Sequence, residues 1–478
     1  MSQAQSRRMR FSMFSTFCPG AGPPSHWHHP KAINFDYTNL SHWIELARKI
    51  EEAKFDCFFW ADFNGVHDTY KNSTAPAIEL ALQFPVADPV TLTAALVSVT
   101  QNLGFVFSAN VIQTHPTEFS RRVSTLDHLS NGRIGWNIVA SFQKSAWQNL
   151  GYDDVEPHAV RYRRAEEYVN VLYKLVEGSW EDGAVVRDVA TGIFGDPSKV
   201  HPIGHKGEFY RVPGIHGVEP SPQRVPVLFQ AGSSSNGRDF SARHSEAIFF
   251  VGNGDNPLPT FANFRRDMVQ RLKGFGRKPT DLQFFVGRNY VIGSTEEEAR
   301  RKDRELQQFL RDTEYVTAYM SSIMGVDFSQ VDMDKPFGDF QSDAIQGLFR
   351  QVAESYPDKQ GTFRDVAMVL ALNRFVGTPD QAADEVETFL DAGVDGINYQ
   401  QMTGTHEVYG FIDHVCPVLK KRGLMQSEYA PGTFREKLFA GTESESGPLL
   451  NERHPAAQFR ARKDAEARTG AALAESTG

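Results

Sequence analysis

Short apolar runs alternate with amphipathic stretches along almost the whole chain. Arg10 to Phe14 has the pattern of a first strand, and Leu40, Trp43, Ala47 and Ile50 then recur at three- and four-residue spacing. That spacing predicts a helix entered near Thr38 and Asn39. Phe55 to Ala61 is a near-continuous apolar run that stops at Asp62, the signature of a strand buried on both faces. The alternation repeats. Asp88-Pro89 opens a helix through Val99, followed by the strand Leu103 to Ser108. Pro116 to Ser130 forms a helix that breaks at Asn131-Gly132 and feeds the strand Arg133 to Val139. Tyr162 to Glu177 carries Ala165, Tyr168, Val169, Leu172 and Leu175 on one helical side. Later strands are predicted at Val225 to Ala231, Ala247 to Val251, Leu282 to Ile292 and Gly396 to Tyr399.

Eight alternating units predict a (β/α)8 TIM barrel, with all strand C-termini at one face. The chain has 478 residues, nearly twice the ~250 such a barrel needs, so insertions must absorb the excess. One is expected at 179–223, with a hairpin around Gly207-Glu208-Phe209-Tyr210, and a second at 312–364, placed to cover the barrel mouth as a lid. The barrel with both insertions is expected to occupy 9–425 as a single domain. A C-terminal arm over 426–463 and a disordered tail over 464–478 would follow. From Lys421 onward few runs look buried, and Asn451 to Arg462 reads equally as an arm gripping a neighbouring subunit or as a loosely packed end.

Composition narrows the function classes. A net charge of -9 argues against nucleic acid as a partner. The 36 phenylalanines provide for a large core or a wide apolar pocket. Cys18, Cys57 and Cys416 lie far apart with no CxxC, which fits a reducing compartment, the cytoplasm. No apolar run approaches the ~20 residues needed to cross a bilayer. Arg7, Arg8 and Arg10 before Phe11-Ser12-Met13-Phe14 mimic a signal peptide, but the apolar part is too short.

Several small polar residues close predicted strands and should meet at one rim: Asp62, Ser108 and Asn110, Ser141, and Gly232-Ser233-Ser234. Each alone is also an ordinary turn or helix cap. Gln230 to Arg238 reads as a strand, a Gly/Ser turn and a helix start, where backbone N–H groups and serine hydroxyls suit a phosphate such as that of a flavin mononucleotide; a serine-capped helix is the plain alternative. His26, His28 and His29 near Cys18 lack the spacing of a metal site, and no metal is expected. His67 and His158 would each lie in a loop after a strand, able to exchange protons near neutral pH.

Phe59-Trp60-Ala61-Asp62, Ser124 to Leu129, Gly132 to Asn137, Glu219 to Arg224, Gln230-Ala231-Gly232, Gly393 to Gly396 and Arg435 to Phe439 carry a resemblance that covers about 9 to 460. The chain resembles the luciferase-like flavin-dependent monooxygenases, in the nitrilotriacetate and dibenzothiophene-sulfone branch, nearest the dimethyl-sulfide and long-chain-alkane monooxygenases. The resemblance implies the oxygenase component of a two-component system that binds FMN, as FMNH2, at the barrel's C-terminal face. O2 would be co-substrate, and NAD(P)H would act only through a separate flavin reductase. One oxygen atom would enter a small or medium apolar substrate through a C4a-hydroperoxyflavin. By the same resemblance Asp62 and Ser108 would flank the isoalloxazine, while Ser141, His158, Tyr162 and Ser234, with the adjoining Ser233, would hold the ribityl and phosphate portions. Cys18 and Gln83 match residues of the alkane pocket. His67 stands where a tyrosine is usual, Phe142 where a histidine is, and Ala21 where another histidine is. Those departures leave a small organosulfur compound as well suited as an alkane. A homodimer or homotetramer is implied by the family alone. A deazaflavin-dependent dehydrogenase on the same fold, or a non-catalytic flavin-binding protein, stays open at this point.

Overall fold

The computed structural model describes residues 8–19, 27–30, 32, 36–141, 143–250, 256–311, 314–336, 362–364, 367–368, 373–401, 405–444 and 446–460. Eight parallel strands close on themselves: β1 (Arg10–Thr16), β2 (Cys57–Ala61), β3 (Gly104–Asn110), β4 (Ile134–Val139), β5 (Val227–Gln230), β6 (Ala247–Phe250), β7 (Gln283–Ile292) and β8 (Gly396–Gln400). Each pairs with its neighbours in sequence, and β8 returns to β1 with Ser12 opposite Asn398. They coincide, to within a few residues at each end, with the eight runs predicted from hydrophobic patterning. The helices that follow them are α1 (Leu40–Glu52), α2 (Pro89–Leu96), α3 (Pro116–Ser130), α4 (His158–Gly178), α5 (Ser235–His244), α6 (Leu258–Gly274), α7 (Pro379–Asp391) and α8 (Thr405–His414).

Local signals explain the boundaries. Asp88 caps α2, its side chain accepting from Val90 N at 2.8 Å, and Pro89 fills the first turn, where no N–H is needed. Helix α3 ends where Asn131 takes a left-handed conformation (φ 56°) and Gly132 follows at φ 78°. Because the strands alternate, each buries two faces. Trp136 of β4 points outward, with ring centroids 4.6 Å from Phe119 of α3 and 5.8 Å from Tyr168 of α4. The inward face is packed with phenylalanine: Phe59, Phe229, Phe249 and Phe285 form one cluster, with Phe59 and Phe249 4.6 Å apart. Burying each ring stabilises the barrel by roughly 1.5–3 kcal/mol.

The floor of the barrel is closed by a segment whose sequence gave no such indication. A six-residue helix, Phe434–Phe439, pushes Phe434 into the lumen parallel to Phe229, at 6.2 Å and 4°. Its ring comes so near Gly104 that a Cβ there would sit 2.5 Å from it, which excludes any larger residue. The expectation of few buried runs after Lys421 is therefore corrected: Phe434 and Leu438 are fully buried. Residues 451–460 dock on their own barrel through Arg453 to Asp281 (2.6 Å) and Arg460 to Glu177 (2.9 Å). The predicted tail 464–478 lies outside the described residues.

Between α4 and β5 the chain forms two short hairpins, Val185–Asp188 with Ile193–Gly195, and His205–Lys206 with Arg211–Val212 around the predicted Gly207–Tyr210 turn. After β7, helices Glu296–Arg311 and Tyr315–Met324 precede an additional strand, Arg374–Gly377, paired with the end of β7. Much of 312–364 lies outside the described residues. Its described part leans on the loop after β2, where Tyr70 Oη donates to Glu314 at 2.7 Å and Asp327 accepts from Lys71 N at 3.0 Å.

Candidate functional site

The strand C-termini share one rim, and two polar groupings form there. The first lines the lumen. With Trp136 and Ile138 turned outward, Asn137 of β4 faces inward beside Ser108 of β3, its register partner. Asn137 Nδ2 donates to Ser108 Oγ at 2.8 Å, and Asn137 Oδ1, in a residue only 6% exposed, has no partner among the described residues. Asp62, just beyond β2, has its carboxyl pushed up to about 7, chiefly by burial and then by Asp88, against hydrogen bonds from Phe63 N–H and Gln113. A carboxyl perturbed in this way at a barrel rim is a mark of function.

Loops after β1 and β2 hold the residues implied to face substrate. His67 Nε2 lies 3.1 Å from Gln83 Oε1. Burial lowers the His67 pKa and favours the neutral ring, the Gln83 bond partly opposing it. Gln83 is buried and held at φ 49°, a left-handed conformation that non-glycine residues avoid. Cys18 is fully buried just past β1; the neighbouring Phe17 carbonyl accepts from Ala87 N at 2.8 Å, drawing the Gln83 segment to the end of β1. Ala21 and Phe142 lie outside the described residues.

The second grouping joins the starts of α4 and α5. His158 is the first residue of α4, where Pro157 serves as cap, so the expected loop position is corrected to a helix N-terminus. Its Nε2 lies 3.1 Å from Ser234 Oγ and its Nδ1 3.2 Å from Asn236 Nδ2. Asn236 therefore donates to Nδ1, which assigns the Nε2–H tautomer and makes it the donor to Ser234. Ser234 caps α5, accepting from Gly237 N at 3.1 Å. The Tyr162 hydroxyl bonds Ser234 and Gln230, and burial raises its pKa. Burial, and then Arg161, lowers that of His158. The Ser233 carbonyl accepts from Arg238 Nε at 3.0 Å. Ser141, at φ 47°, turns its carbonyl to Nη1 of Arg161, whose Nε is buried without a partner among the described residues. Ser141, His158, Tyr162, Ser233 and Ser234 are thus gathered in one place.

This second grouping fits a phosphate-bearing group. It offers serine, tyrosine and imidazole donors, the unpartnered Arg161 Nε, and the N-terminus of a ten-residue helix. A Cβ on Gly237 would lie 2.7 Å from Tyr162 Oη, so the glycine lets the helix start approach closely. Asn137, Arg161 and Gln113 were not singled out in the sequence. Alternation along β4 marks Asn137 as inward; Arg161 and Gln113 carry no local signal. His28 and His29 pack on Phe309, with ring centroids at 4.9 and 4.8 Å. Among the described residues no three His, Cys, Asp or Glu side chains gather as a metal site, and no helix is long and apolar enough to cross a membrane.

A closed parallel barrel with a polar rim and a phosphate-type cradle at its C-terminal face defines a TIM-barrel enzyme. The luciferase-like monooxygenase family matches residues 9–396. The chain is 36% identical over 459 residues to the dimethyl-sulfide monooxygenase of Hyphomicrobium sulfonivorans, across 95% of this chain and 94% of that protein. The crystal structure of DmoA from that organism matches with a TM-score of 0.85 over 96% of this chain and 97% of its own. Identity to the long-chain alkane monooxygenase of Geobacillus thermodenitrificans (strain NG80-2) is 37% over 455 residues, 95% of this chain and 98% of that one. The crystal structure of long-chain alkane monooxygenase (LadA) gives a TM-score of 0.82, over 95% of this chain and 100% of its own. A riboflavin lyase (RcaE), solved with modified FMN and riboflavin, is 33% identical with a TM-score of 0.85, over 95% of this chain and 100% of its own. The chain belongs to the luciferase-like monooxygenase family. It is a flavin-dependent monooxygenase.

Proposed function

We propose that the chain is the oxygenase component of a two-component system, taking reduced FMN from a separate NAD(P)H-dependent reductase in the cytoplasm and working as a homodimer or homotetramer. The observation that carries the choice of FMN is the convergence of His158, Tyr162 and Ser234 on the start of α5. When bound, reduced flavin supplies the two electrons that divide O2 between the substrate and water.

The chain's own groups do the rest. Ser233, Ser234, His158 and Tyr162 hold the phosphate, and Ser141 lies along the ribityl chain with its carbonyl fixed by Arg161. Ser108 and Asp62 flank the ring, and Asp62, with its carboxyl near neutrality, stores or returns a proton during turnover. Cys18, His67 and Gln83 face the substrate. The Phe-lined lumen excludes water from the reacting centre.

The substrate is a small or medium apolar molecule, an organosulfur compound such as dimethyl sulfide or an alkane, in keeping with the relatives' names. The dehydrogenase and binding-protein readings give way to membership of a monooxygenase family. The test supplies reduced FMN and 18O2 with dimethyl sulfide or an alkane. Label in the organic product and a fall in hydrogen peroxide are expected; peroxide formed at the same rate with every candidate would contradict the reading.

A further inference from the structure

Asn137 carries a hydrogen-bonding position that the fold leaves open. Its amide is fixed by donation to Ser108 Oγ at 2.8 Å, and its carbonyl oxygen, buried in the lumen, accepts nothing from the described residues. A buried amide oxygen left without a donor is costly, and native structures provide one. The donor must come from the lumen, because Trp136 and Ile138 on either side turn into the helical layer. A carbonyl oxygen rejects a phosphate, which offers only acceptors, and an apolar substrate offers no donor.

We propose that Asn137 Oδ1 accepts a hydrogen bond from the N3–H of the flavin's isoalloxazine ring, making Asn137 a cofactor-binding residue that sets the ring's register against β3 and β4. N3–H is the ring N–H present in both oxidised and reduced flavin, so a rigidly held acceptor suits it in both states. The inference rests on the flavin-binding reading above. Ser108, held by the same amide, is the support: without its hydroxyl the Asn137 side chain loses its orientation.

The test is a ligand–protein cycle with oxidised lumiflavin, which lacks ribityl and phosphate, and 3-methyl-lumiflavin, which also lacks N3–H. Methylation is expected to weaken binding to the wild-type protein roughly tenfold, the scale of one buried hydrogen bond. Asn137→Ala is expected to weaken lumiflavin by a similar factor, and the two changes together should cost no more than either alone. Ser234→Ala should weaken FMN and leave lumiflavin unchanged, which separates ring from phosphate contacts. Equal wild-type affinity for lumiflavin and its 3-methyl derivative would overturn the proposal even if Asn137→Ala does not fold. So would losses that simply multiply, or an Asn137→Ala effect on FMN but not lumiflavin, which would assign Oδ1 to a water or a ribityl hydroxyl. A wild-type protein that binds no flavin would instead overturn the cofactor reading itself.

Discussion

The two ends of the barrel differ in what their buried polar groups hold. At the floor, Arg435 and Arg133 tie distant segments together. Arg435 gives two hydrogen bonds to Glu246, at 2.6 and 3.0 Å, and others to Val225 O and Pro448 O. Arg133 donates to Thr100 and to the carbonyls of Leu103 and Val97. At the mouth, Thr16 Oγ1, Asn137 Oδ1 and Arg161 Nε are buried with no partner among the described residues. There the backbone is held left-handed at Ala81, Gln83 and Ser141, and the Asp62 carboxyl sits near 7. Among the described residues the floor also has left-handed residues, Lys54 and Arg224, and buried atoms without partners, Arg277 Nε and Gln283 Oε1. What sets the mouth apart is that its open positions lie beside a carboxyl raised toward neutrality, at the face where a barrel keeps its chemistry.

The largest expected effect is at the floor. Arg435→Met leaves Glu246 buried and unpaired and should cost about 3–5 kcal/mol in urea unfolding, with flavin affinity of the folded fraction unchanged. A similar loss of flavin affinity would break the division between the ends. Next comes the mouth. Tyr162→Phe combined with Ser234→Ala should weaken FMN by about 2–3 kcal/mol in a binding titration, while removing the α5 cap takes only about 1 kcal/mol from folding stability.

A pH series sharpens the contrast further. The folded Asp62 carboxyl titrates near 7 against an ordinary 3.8. In that window the native state holds the extra proton, so the contribution of Asp62 to stability is fully present below 3.8 and is lost as pH rises through 7. Asp62→Asn should flatten this slope in unfolding midpoints measured from pH 5 to pH 8; an unchanged slope would refute the shifted carboxyl. The smallest effect is Ala81→Gly, which relieves a left-handed backbone (φ 52°) and should stabilise by about 0.5–1 kcal/mol, read as a raised Tm.

The barrel was legible in the sequence because parallel strands buried on both faces leave continuous apolar runs, as at Phe55 to Ala61. The floor was not. Phe434–Phe439 is too short to show a helical period, and its partners, Gly104 and Glu246, lie far away in sequence. The rim serines could be singled out at strand ends, and His158 as a residue type, though in an expected loop rather than at the helix start it occupies. Their meeting depends on how α4 and α5 lie side by side. Asn137 is visible in the sequence only as the inward end of a matching stretch, because its importance lies in a bond that the described residues leave unmade.

The most direct test of the account is a titration of the wild-type protein and Ser234→Ala with FMN and with riboflavin, which differ only in the phosphate. FMN should bind the wild type at least tenfold more tightly than riboflavin, and that gap should collapse in Ser234→Ala. Equal affinities in the wild type, or a gap that survives the substitution, would contradict the assignment of the α4 and α5 starts to the flavin phosphate.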